Sequence, residues 1–402
     1  MKFSKLSQLF LVSAIGLILA TFLTACNLVT VDYVFVAASA GNSAGSAGQI
    51  YTYAVDAQSG ALRSAASPVD SGGSGPIALA TTSDFNHLYV ANQGNNSVVH
   101  FALDGHGNLI KKDNITLANV PVSIAVNAAG TYLYVVSGTA SATLTEYALS
   151  SGAIGSATAT IPLTIPGFAS DTIVPTGVTV LANSKAVYVT AYDKSAYNPG
   201  GTTTSNANPG WLFGYAAGSG GAMTAVSGSP YQAGVKPSAL TTDPINRFVY
   251  VTDFASNQLI GYTVGSADAL QFLVNGPVKT GNEPTSIVID PRGIFIYLSN
   301  SLDETVGAYS ISLPTGTPTA DFSLGGSGAT TTDTNPVSIV VDPALGRFVY
   351  TANYLGNSVS GFKLNPSDGT IEQTQATPYP TGANPRAIIA VPHGNHALST
   401  PQ

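Results

Sequence analysis

The sequence has a single cysteine, Cys26, so no intramolecular disulfide can form and the fold must be held by packing. Charge is nearly as scarce. Charged residues make up 9% of the chain, where an average soluble domain carries roughly a quarter. A net charge of −7, with no basic cluster longer than Lys111–Lys112, excludes the basic stripe that a nucleic-acid-binding face requires. The five histidines show no metal-ligand spacing, and no Asp/Glu/His run reads as a zinc or EF-hand site. Neither a metal nor another cofactor is expected. Long apolar runs are confined to Leu9–Ala25, and no helical periodicity appears elsewhere. What remains is rich in Gly, Ser, Thr, Ala and Asn, the composition of short strands joined by turns.

The N-terminus carries Lys2 and Lys5, an apolar core from Leu9 to Leu23, and then Leu23-Thr24-Ala25-Cys26. This is the order of a secretory signal with small residues before the cleavage point. Leu-Thr-Ala-Cys resembles the bacterial lipobox, in which the cysteine is acylated and becomes the new N-terminus. That resemblance implies a signal over 1–25, a lipidated Cys26 and short linker over 26–32, and a domain held to the membrane outside the cytoplasm. Several acyl chains anchor a soluble domain stably, where one chain alone is marginal. An uncleaved anchor or an ordinary cleavage site would leave the domain in the same compartment.

A unit best seen in Pro336–Leu364 recurs along the rest of the chain. Its leading prolines are Pro76, Pro121, Pro175, Pro237, Pro284, Pro336 and Pro385, spaced 45, 54, 62, 47, 52 and 49 residues apart. After each proline comes an alternating apolar run, then a turn such as Asp290-Pro291-Arg292-Gly293, then a second strand centred on an aromatic. Those aromatics are Phe35, Tyr89, Tyr134, Tyr188, Tyr250, Tyr297 and Tyr350. A polar loop, a third strand such as Gln258–Val264 and a weaker fourth strand complete the unit. Four short antiparallel strands repeated seven times predict an all-β, seven-bladed β-propeller over residues 33–393, with a tail over 394–402. The first aromatic strand lacks a proline strand before it, and the last proline strand, Arg386–Val391, lacks an aromatic strand after it. Pairing of the two ends therefore closes the ring.

The pattern P-x-S-I-x-x-D-P-x-G-R-F-V-Y-V-x-N, approximated by Pro237–Asp253 and Pro336–Asn353, resembles the YVTN-type repeat of bacterial extracytoplasmic propellers. It is also similar to the lactonase-type seven-bladed family, whose namesake is a phosphogluconolactonase. The likeness covers about residues 33–393 and rests on strand and turn residues, so it implies a fold more strongly than an activity. The copy at Pro175 departs most: Leu181-Ala182-Asn183 replaces its Asp-Pro turn, and a long loop runs from Ala191 to Trp211.

In a propeller the leading turns and the loops after the second strands share one face. The residues flanking the prolines, with those three places after each aromatic, therefore form the channel mouth. The copies at Pro76, Pro121 and Pro175 offer mainly apolar groups there. The others offer Lys236, Asp253, Glu283, Asn300, Asn335, Asn353, Asn384 and Arg386. Such a mouth suits a sugar, a lactone or a protein segment. Glu283 or Asp253 could act as general base on water, with Arg386 or Lys236 stabilising the oxyanion of a lactone carbonyl. The lactonase-type resemblance carries over most directly to Arg386, in Asn384-Pro385-Arg386. Tyr192 and Trp211, on the long loop, could stack on a sugar or hold a partner. The alternatives are that the asparagines satisfy loop backbone groups, that the charges pair with one another, and that the protein is a structural surface component. His100 and Glu146 read as polar contacts between blades. Gly41–Gly45 matches G-x-S-x-G but lies in a loop between strands, not at a strand-to-helix turn.

Overall fold

A computed structural model describes residues 29–41, 45–139, 141–168, 170–197, 209–217, 222–321 and 329–394. They form seven antiparallel sheets. The inner strands of blades one to seven are Pro76–Thr81, Pro121–Val126, Ile173–Val180, Pro237–Thr242, Pro284–Ile289, Pro336–Val341 and Ala383–Pro392. Each inner strand packs against the next, and Ala383–Pro392 meets Pro76–Thr81, so the ring is closed. In blades one to six the strands run outward in sequence order. Blade seven is composite. Ala383–Pro392 pairs with Thr30–Ser39, setting Phe35 opposite Ile389, and Thr30–Ser39 pairs with Ala47–Asp56. The two ends thus complete one blade, as the unmatched half-repeats required.

The repeated residues are the ones that hold this ring together. Second strands such as Phe248–Asp253, Phe295–Asn300 and Phe348–Asn353 are buried at every position, because neighbouring blades cover both faces. The tyrosines of most second strands reach the outer turn of the next blade. Tyr89 donates to the Gly152 carbonyl at 2.7 Å, Tyr250 to Gly316 at 2.6 Å, Tyr297 to Gly369 at 2.8 Å and Tyr350 to Gly60 at 2.7 Å. Each such bond contributes about 1 kcal/mol and removes the cost of burying a bare hydroxyl. At Gly369 the backbone is left-handed (φ 79°), and a Cβ would lie 2.3 Å from the Phe295 ring, so only glycine fits.

The Asp-Pro turns work by a second device. Asp290 is fully buried, and its Oδ1 accepts the Ile294 and Phe295 N–H groups, both at 2.8 Å, while Arg292 Nε donates to its Oδ2 at 2.8 Å. Asn127 does the same in blade two with the Thr131 and Tyr132 N–H groups. In blade three the carboxylate is absent, and buried Leu181 keeps the turn through backbone bonds to Ala186 and Ser184.

Candidate functional site

At or beside each leading proline the pairing of the inner strand shifts register. In blade five Pro284 sits opposite Asn300 and Ser286 opposite Ser299, which leaves Thr285 as an extra residue; blades one, four and six repeat this shift. A bulge of this kind re-aims the extra side chain. All seven residues that follow the prolines (Ile77, Val122, Thr176, Ser238, Thr285, Val337 and Arg386) consequently line one central cavity of about 570 Å³. Two of the hydroxyls bind neighbouring inner strands, Ser238 donating to the Pro284 carbonyl at 2.6 Å and Thr285 to that of Pro336 at 2.8 Å.

Among the described residues, Arg386 is the one charged side chain lining that cavity. Its guanidinium lies 5.2 Å from the Tyr354 ring centre, with Nη2 3.4 Å from the Tyr354 hydroxyl and Nη1 3.3 Å from Gln93 Oε1. Among the described residues no carboxylate pairs with it; Arg247 pairs with Asp243 and Arg292 with Asp290. An unneutralised cation in a largely apolar and hydroxylic channel attracts an anion or a polarisable carbonyl. Asn335 and Tyr354 stand in the same lining.

The residues before the prolines form the rim. Gly75, Glu283, Asn335 and Asn384 are all left-handed, with φ between 51° and 59°. Glycine and asparagine adopt this conformation readily; glutamate does not. Glu283 is half-buried, its N–H donating to Asn257 Oδ1 at 2.8 Å and its Oε2 accepting from the Ser301 hydroxyl at 3.2 Å. Asn384 repeats the backbone contact, donating its N–H to Asn357 Oδ1 at 2.8 Å. Lys236, on the rim of blade four, points into an aromatic box, with Nζ 4.6 Å from the Phe254 ring centre, 5.4 Å from Tyr197 and 5.7 Å from Tyr192.

The residues expected at the mouth therefore divide. Arg386 and Asn335 line the cavity, and Asn384 joins Arg386 and Tyr354 in an adjoining one. Asp253, Asn300 and Asn353 do not reach it: all three are fully buried. Asp253 accepts the Val235, Lys236 and Ala255 N–H groups and the Gln258 amide, so it fixes the leading turn of its own blade and is not free to act as a base. Asn353 holds Ser358 and Ser360 through Nδ2, and Asn300 holds Thr305. Glu283 stays on the rim, apart from the residues that line the cavity with Arg386. Trp211 packs half-buried against the core between blades two and three. Cys26, the centre of Gly41–Gly45 and most of the loop before Pro209 lie outside the described residues.

Tyr354 and Gln93 were not anticipated, although the repeat contains the signal. Both lie four places after the strand aromatic, one beyond the position chosen from the sequence. Side chains alternate along a strand, and the step from three to four moves from the buried side to the mouth. The same position supplies Tyr192 and Phe254 to Lys236 and Ser301 to Glu283. The histidine expectation also changes. His100 contacts residues of its own blade, its Nδ1 lying 2.8 Å from Asp113 Oδ2 and its Nε2 2.9 Å from His87 Nδ1. Asp113 reaches the next blade, accepting the Ile154 N–H at 3.1 Å, and the His87 ring packs on Gly152 of that blade.

Comparison with solved structures finds the same architecture in a putative 6-phosphogluconolactonase from Bacteroides uniformis, at TM-score 0.72 and 17% identity over 90% of this chain and 100% of that one. The periplasmic gluconolactonase of Pseudomonas aeruginosa matches at TM-score 0.72 and 16% identity, over 90% and 99% of the two chains. A second putative 6-phosphogluconolactonase, from Bacteroides fragilis, gives 0.71 and 16%, over 91% and 99%. At such identities the likeness is one of fold. No curated protein sequence matches the chain. The family profile described as "Lactonase, 7-bladed beta-propeller" matches residues 70–170 and 221–402, and on that match the chain belongs to the seven-bladed lactonase family.

Proposed function

We propose that the channel mouth binds a small polyhydroxylated acid or its lactone, and that the protein opens the lactone. The observation that carries this reading is Arg386: a cation without an acidic partner, at the wall of a cavity whose other lining is uncharged. The cavity has the volume of a small-molecule site, roughly 300–1,000 Å³, which favours a small ligand over a protein partner. In hydrolysis, water attacks the lactone carbonyl and the guanidinium stabilises the tetrahedral oxyanion. The C–O bond of the ring then breaks, and the departing ring oxygen takes a proton. Glu283 is the rim carboxylate assigned to accept the proton from water. Its left-handed backbone, in a position where two other blades place asparagine, supports a role other than turn formation.

A panel of sugar lactones, followed by acid release, tests the reading. Turnover that falls in Arg386→Ala and in Glu283→Gln supports it. No turnover on any lactone, with gluconate still bound, would leave a binding protein; turnover untouched by both substitutions would place the chemistry elsewhere. The lipid anchor at Cys26 is part of the same proposal and puts the site on the extracytoplasmic side of a membrane.

A further inference from the structure

We infer that the ligand is longer than one sugar unit, and that its second unit lies in a groove between blades seven and one. This rests on the reading of Arg386 as the ligand's anchor. A second cavity of about 550 Å³ adjoins the channel and shares Tyr354 and Arg386 with it. The guanidinium stands at the junction, between Tyr354 on one side and Gln93 on the other.

The groove differs in chemistry from the channel. Its walls include Ser39, Ser74, Gly75, Gln93, Gly94 and Asn384, and Arg386 is the one charged residue among its lining. Hydroxyls, side-chain amides and bare glycine backbone match a neutral, hydroxyl-rich chain and offer little to an apolar one. One wall is built firmly. Gln93 N–H donates to the Gly75 carbonyl and Gly94 N–H to that of Ser74, both at 2.9 Å, tying a blade-one loop to the leading turn of the same blade. At Gly75 a Cβ would meet, among the described residues, only the Gly94 nitrogen at 3.8 Å and the Gln93 Cβ at 3.9 Å, ordinary contacts within the same wall. Each cavity alone is of small-ligand size, roughly 300–1,000 Å³, so one hexose acid held at Arg386 leaves the other empty. The class that fills both is an aldonic acid or aldonolactone bearing a second, neutral sugar.

Isothermal titration of the intact protein with gluconate and with three disaccharide counterparts (maltobionate, cellobionate and lactobionate) tests this. At least one disaccharide acid should bind about tenfold more tightly than gluconate. Ser39→Trp and Gly41→Trp, which place a ring in the groove, should remove that gain and leave gluconate affinity unchanged. Gly41 also lines the groove, and among the described residues an added Cβ there meets only the Ser46 hydroxyl, at 3.5 Å, so the second variant keeps the test available if the first misfolds. The inference is overturned if no disaccharide acid outperforms gluconate, or if the gain survives in a folded Trp variant. If neither gluconate nor any disaccharide acid binds, the reading of Arg386 fails with it.

Discussion

Replacing Asp32 by Asn should stabilise the protein, increasingly so as pH rises. Asp32 lies on the N-terminal strand of blade seven, fully buried, facing the equally buried Asp342 of blade six. Asp342 accepts backbone N–H groups from Leu345, Gly346, Arg347 and Phe348, whereas among the described residues the Ala344 N–H is the one backbone donor acting on Asp32. Asp32 is therefore the member that carries the proton. Burial, and next the Asp342 carboxylate, push it from 3.8 up to about 9. A carboxyl raised in the folded state contributes stability that is complete below its unfolded value and is lost as pH climbs towards the folded one. At about 1.4 kcal/mol per pH unit, the loss between pH 4 and pH 7 is roughly 4 kcal/mol at most. Asparagine is neutral throughout and can donate its amide to Asp342. With incomplete relief, Asp32→Asn should gain about 2 kcal/mol at pH 7, or a few degrees in Tm. Melts followed by calorimetry at pH 5, 7 and 9 should show the gap between variant and parent widening. A gap that is absent, or constant across that range, would refute the argument.

Glu283→Asn should stabilise by about 0.5–1 kcal/mol, by relieving the left-handed strain that Asn335 and Asn384 avoid at the same position, while lactone turnover falls; paired melts and rate assays check both halves. Removing residues 384–402 takes away the strand that completes blade seven, so the product should aggregate or lose its cooperative melt, as light scattering and calorimetry would show. Cys26→Ala should move the protein from the membrane fraction to the soluble fraction on cell fractionation, as the proposed lipid anchor requires.

Much of the architecture could be read from residues that repeat for packing reasons. The prolines mark the inner strands, and the aromatics mark the second strands, with the hydroxyls of Tyr89, Tyr250, Tyr297 and Tyr350 reaching the next blade. The unmatched ends reveal the closure, because half a repeat at each terminus leaves strands that must pair. The site was less legible, and one geometric step accounts for most of the difference. Asp253, Asn300 and Asn353 are polar residues near the mouth, but the pleat turns them inward, where they fix turns. Tyr354, the residue after Asn353, and Gln93, the residue after Asn92, face the mouth instead. The bulge that swings Arg386 and its six counterparts into the channel leaves no mark in composition or hydrophobic period; it emerges only from strand pairing. Lys236 likewise appears in the sequence as a free charge at the mouth, whereas Tyr192, Tyr197 and Phe254 enclose it.

The account depends most on Arg386 as the centre of ligand recognition. Titration of gluconate into the protein, Arg386→Lys and Arg386→Ala measures this directly. A charge-assisted hydrogen bond is worth about 1.5–3 kcal/mol, so Arg386→Ala should bind roughly ten- to a hundredfold more weakly, with Arg386→Lys in between. Affinity for gluconate unchanged in Arg386→Ala would contradict the account.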